Sequence, residues 1–63
     1  MVQIVETTAF YQNLIAMFEN AEVAIKYLEE YHGVQSIEED KDHPGFYDCL
    51  TEHGRVYSIE PIK

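Results

Sequence analysis

From Phe46 to Ile62 the chain alternates apolar and polar residues about the segment Glu52-His53-Gly54, and one pairing keeps that alternation intact. A three-residue loop with Gly54 in the left-handed conformation sets Cys49 opposite Tyr57 and Tyr47 opposite Ile59, gathering apolar side chains on one face. The other face then pairs Leu50 with Val56 and Asp48 with Ser58. A two-residue loop would bring Asp48 into the apolar face, because a slip of one residue turns every side chain over. The spacing therefore predicts a C-terminal antiparallel β-hairpin over residues 46–51 and 55–62. Pro61 then suits the end of an edge strand, since proline has no N–H to give a neighbour.

Upstream, Phe10, Leu14, Met17, Ala21, Ala24, Leu28 and Tyr31 recur at alternating spacings of 4 and 3 residues. That is the apolar stripe of an amphipathic helix, and the intervening positions are mostly polar. Thr7 or Thr8 offers an N-cap, Gly33 a terminating glycine, and Glu22 with Lys26 a favourable pair one turn apart. These features favour a helix beginning near Phe10, able to break near Asn20, and ending at His32. A second reading divides the same segment into a strand to residue 11, a turn at Gln12-Asn13, a strand over residues 14–18, and a helix from Ala21 capped by Asn20. Gln-Asn is a poor two-residue turn, which weighs against it. Both readings agree on helix over residues 21–32.

Val2–Thr7 is rich in β-branched residues and reads as a strand. Residues 34–37 are too short to assign, and residues 38–45 read as a polar loop ended by the Pro44-Gly45 turn. The expected architecture is one small α+β domain: an N-terminal strand, an amphipathic helix and a C-terminal hairpin.

A domain of 63 residues buries only about 60% of the surface its unfolded chain exposes, so its core is marginal by itself. Domains of this size commonly add disulfides, a metal or a partner subunit. Cys49 is the only cysteine and excludes an internal disulfide; a lone thiol suits a reducing compartment. No apolar run is long enough to span a bilayer, and no charged segment followed by an apolar one forms a leader, so the expectation is a cytoplasmic protein with no membrane association.

The formal charge is −8. Eight aromatic residues (five Tyr and three Phe) and many aliphatics argue that the chain folds despite that charge. Residues 19–42 hold Glu19, Glu22, Glu29, Glu30, Glu38, Glu39, Asp40 and Asp42 against Lys26 and Lys41, a net −6. Residues 1–18 carry Glu6 alone, and residues 43–63 carry Asp48, Glu52 and Glu60 against Arg55 and Lys63. The acidity is therefore local. A field of this sign, with four scattered bases, argues against direct nucleic-acid binding.

Candidate chemistry is sparse. Asp40, Asp42, Gly45 and Asp48 fall at positions 1, 3, 6 and 9 of a calcium loop, but Pro44 and Thr51 stand at positions 5 and 12, where the bidentate glutamate is missing. A solvated acidic loop is the better reading. His32, His43 and His53 with Cys49 show no recognised metal spacing. Cys49 with His53 could suggest a nucleophile and base, but the hairpin register points the thiol into the apolar face, where burial makes it inert. No catalytic residue, cofactor or metal ligand is assigned, and the chain reads as a non-enzyme.

The functional expectation is a small acidic regulatory or adaptor protein that binds itself, as a homodimer, and an unidentified protein partner. Its expected apolar interface is Val23, Tyr27 and Tyr31 on the helix flank with Leu50 and Val56 on the hairpin, groups that one helix and a small sheet cannot all cover. The alternative makes the acids the active feature: Glu22, Glu29, Glu30, Glu38, Glu39, Asp40 and Asp42 would imitate a phosphate backbone and block a DNA- or RNA-binding protein, as small acidic inhibitors of phages and mobile elements do. Ordinary solubilisation competes with that reading.

Overall fold

The computed structural model describes residues 1–62; Lys63, counted above among the scattered bases, lies outside them. The elements in chain order are β1 (Val2–Thr7), β2 (Gln12–Phe18), α1 (Ala21–Tyr31), β3 (Val34–Glu39), β4 (Tyr47–Thr51) and β5 (Val56–Pro61). The strands form one five-stranded sheet in the order β2-β1-β5-β4-β3, antiparallel at every pairing.

The helix joins the two edges of that sheet. Its 11 residues make a rod of about 16 Å. Five strands spaced ~4.8 Å apart span about 19 Å. One short helix therefore suffices to carry the chain from the β2 edge to the β3 edge across one face. Beneath it Ala24 and Leu28 meet Val2, Ile4, Val34, Cys49, Tyr57 and Ile59, and this is the core.

The C-terminal hairpin has the expected register: Tyr47 opposite Ile59, Asp48 opposite Ser58, Cys49 opposite Tyr57 and Leu50 opposite Val56. Gly54 takes φ 79°, the left-handed conformation the loop requires. Thr51 closes the loop, accepting the Arg55 N–H at Oγ1 (3.0 Å) and donating its own N–H to the Arg55 carbonyl (3.1 Å). Pro61 does not lie on an edge strand, since β5 sits between β1 and β4. It is tolerated because β4 stops at Tyr47, opposite Ile59, leaving no strand beside Pro61 on that side. The next residue already gives its N–H to Met1 (2.9 Å).

The preferred long helix from Phe10 is corrected. Residues 12–18 are a strand paired with β1, and the helix starts only at Ala21. The turn that made this reading look poor is not Gln12-Asn13. It is Thr8–Tyr11, where Thr8 donates its N–H to the Tyr11 carbonyl (2.9 Å) and its Oγ1 accepts the N–H groups of Phe10 (3.2 Å) and Tyr11 (3.1 Å). The stripe fails as a helical signal because Phe10, Leu14 and Met17 are all exposed. Neither Thr7 nor Thr8 caps the helix. Asn20 does, its Oδ1 accepting the Val23 N–H at 3.0 Å. Gly33, with φ 64°, follows the His32 cap as expected. Glu38 and Glu39 belong to β3 rather than to the polar loop. Among the described residues no helix is long and apolar enough to cross a membrane.

Candidate binding surfaces

Antiparallel alternation sorts the strand side chains into a face under α1 and a face with no element over it. Two rows cross the open face. One runs Leu14, Val5, Ser58, Asp48, Glu38; the next runs Gln12, Thr7, Val56, Leu50, Ser36. Leu14 is 54% exposed, Met17 56% and Leu50 49%, while Val5 is buried among its strand neighbours without joining the core. Gln3 donates to Glu60 at 3.0 Å in the row beside Met17. The face is thus graded, apolar at β2 and acidic at β3. At the β1–β2 turn, Phe10 projects with 95% of its surface exposed, on a loop pinned by Thr8.

The five residues expected to form one apolar interface are divided by the sheet. Val23 and Tyr31 are exposed on α1, and Leu50 and Val56 lie on the opposite face. Tyr27 is half-buried, with ring centroids 5.1 Å from Phe18, 5.1 Å from Tyr31 and 5.3 Å from His32, so it seals the end of the core. Sequence reasoning missed Phe10, Tyr11, Leu14 and Met17 as surface groups because it spent three of them on a helical stripe. The available signal was the run from Thr7 to Phe18, which holds no charge.

The acids occupy two places. Glu22, Glu29 and Glu30 are exposed on α1; Glu38 and Glu39 line the β3 edge, with Asp40 and Asp42 in the loop beyond it. Glu38 stands directly opposite Asp48, a like-charge pair on the open face. Among the described residues Arg55 pairs with the buried Glu6 (3.2 Å), and within the loop His43 faces Asp40 (3.3 Å).

The calcium loop is not assembled. Asp40 turns its carboxylate on its own loop, Oδ1 accepting the Asp42 N–H (2.9 Å) and Oδ2 facing His43 Nδ1 (3.3 Å). The Asp42 N–H, aided by His43, holds the Asp40 carboxyl below its ordinary 3.8. Glu39 accepts the Gly45 N–H at 3.2 Å. Among the described residues no group of His, Cys, Asp and Glu gathers as metal ligands, and no cavity opens.

Cys49 is fully buried under α1. Desolvation, with the negative charge of Asp48 beside it, pushes its thiol up to about 11. Such a thiol stays protonated at neutral pH and is a poor nucleophile. His32 lies with Nδ1 3.2 Å from Tyr57 Oη, and its Nε2 is buried without a partner. Comparison of the chain with protein-family models, with curated proteins and with solved structures finds no match.

Proposed function

We propose that this chain is a non-enzymatic binding protein of the cytoplasm that engages a protein partner through the open face of its sheet. One observation carries the reading: a five-stranded sheet is covered on one side only, leaving Leu14, Met17 and Leu50 about half exposed beside Val5 and Val56. Apolar groups arranged on a rigid sheet, with a polar and acidic border, have the make-up of an interface centre and rim. Phe10, held out by the Thr8 turn, adds an aromatic anchor at one corner. The buried, protonated Cys49 supports the non-enzymatic part, and a free thiol suits a reducing compartment.

The test is capture of a partner from native lysate by the wild-type chain and by Leu50→Glu, with circular dichroism confirming that both fold. Stoichiometric capture that holds at high salt and fails for Leu50→Glu supports the proposal; capture unaffected by the substitution defeats it.

A second reading, the acidic mimic of nucleic acid, draws on the uncompensated Glu38–Asp48 pair. Like charges set opposite each other on a sheet cost stability, and a binding function for the acids would explain their retention. In that case capture weakens steeply as salt rises, because interactions of exposed charges are screened within a Debye length of about 8 Å at physiological ionic strength.

A further inference from the structure

We propose that β2 is the pairing edge of a twofold homodimer, in which two copies set their β2 strands antiparallel and join their sheets into one. This goes beyond the open-face reading but shares Leu14 and Met17 with it, so Leu50→Glu, which alters the open face away from β2, tells the two apart.

The two edges of the sheet are guarded unequally. An edge strand presents unpaired N–H and C=O groups, and native proteins blunt it with charges, proline or bulges. β3 carries Glu38 and Glu39 together with a bulge near Gln35. β2 has a bulge at Ile15 and nothing more: Gln12–Phe18 holds no charge and no proline. The backbone alternation follows from the bond Thr8 N–H gives Tyr11. It turns the polar groups of Asn13, Ala16 and Phe18 toward β1 and those of Gln12, Leu14 and Met17 outward. Two of those outward residues, Leu14 and Met17, are also the exposed apolar side chains of the open face. A strand added there satisfies the backbone and covers both side chains at once.

Charge identifies the occupant as a second copy. A chain of −8 repels itself over most of its surface. β2 itself is where it does not: residues 1–18 hold only Glu6, which is tied to Arg55, and Glu19 and Glu22 stand past the strand's end rather than along its edge. Strand order does the rest. In a joined sheet of ten strands the two β3 edges lie nine spacings apart, about 43 Å at ~4.8 Å each, well beyond the ~8 Å Debye length. A twofold pairing of like strands is self-complementary, so one uncharged strand suffices for both sides. A basic partner strand, by contrast, would be drawn to β3.

Sedimentation equilibrium over a range of concentrations tests this, and the expected mass is twice the 7.4 kDa of the chain. Met17→Pro removes an N–H that points away from β1, so the monomer should still fold while its dimer dissociates at least ~10-fold more readily. Leu14→Glu with Met17→Glu places four carboxylates about the twofold axis and should abolish the dimer; both positions are exposed enough in the monomer to keep the fold, which keeps the test decisive if the proline variant does not fold. In hydrogen exchange, the amides of Leu14 and Met17 should gain protection as concentration rises. A wild-type monomer at every concentration overturns the proposal. So does a dimer that survives in folded β2 variants, a dimer lost instead through Leu50→Glu, or a β2 edge occupied only by a strand from another protein.

Discussion

Replacing Cys49 with alanine and following stability from pH 7 to pH 11 tests whether α1 seals the thiol from water. The folded thiol is raised to about 11 from an ordinary 9.0, chiefly by desolvation. Because the folded value lies above the unfolded one, the stabilisation is fully present below pH 9 and is lost as pH rises from 9 through 11. A shift of that size corresponds to about 2–3 kcal/mol. Removing a buried sulfur also costs packing, on the order of 1 kcal/mol, at every pH. The two terms oppose each other. Wild type should be the more stable at pH 7, the two proteins should cross near pH ~10, and the alanine variant should be the more stable at pH 11. Urea unfolding followed by far-ultraviolet circular dichroism reads this, since the chain has no Trp. Taking the difference between variant and wild type cancels every titration that the two proteins share. A stability difference that stays constant from pH 8 to pH 11 would refute the reasoning. So would alkylation of the native thiol at the rate of free cysteine.

Asn20→Ala removes the oxygen that accepts the Val23 N–H and should cost ~1 kcal/mol in urea unfolding, whereas Thr8→Ala should leave the helix intact and loosen only the Phe10 turn. Leu28→Ala empties the centre of the core, and its cost of ~2–5 kcal/mol approaches the ~3–9 kcal/mol expected of a domain this size, so the variant should be largely unfolded by circular dichroism at 37 °C. Asp48→Thr removes the like charge facing Glu38 and adds a better strand former, which should raise stability by ~0.2–1 kcal/mol at low salt and by less at high salt.

The parts of the fold that were legible in the sequence are those where one local rule acts alone. The hairpin register followed from Asp48 and Gly54, since a two-residue loop would have put that acid on the apolar face and the three-residue loop gives Gly54 its left-handed place. Gly33 and Gly54 were readable because only a left-handed residue ends that helix or closes that loop. Residues 10–18 were not legible. Leu14 and Met17 sit three apart, as on a helix, but an inserted residue at the Ile15 bulge puts them on one face of a strand instead. A bulge shifts a period of 2 by one residue and so imitates a helical spacing over a short run. The turn that would have decided the matter depends on the Thr8 hydroxyl, which leaves no glycine or proline to mark it. For the same reason the surface groups Phe10, Leu14 and Met17 were hidden among core positions, while Leu50 and Val56, fixed by the hairpin, were found.

Strand order converts a charge asymmetry along the chain into one across the sheet. β1 and β2 come from the nearly uncharged first 18 residues, and β3 from the acidic stretch that follows. The α1 crossover sends β3 to the far edge instead of beside β2, with β1, β5 and β4 between them. A hairpin in place of that crossover would have set Glu38 and Glu39 against β2 and guarded its edge with charge. The helix therefore does more than cover the core. By spanning the sheet it leaves β2 uncharged and holds Glu38 and Glu39 at the other edge, where, in the dimer proposed above, a second copy joined through β2 would not feel them.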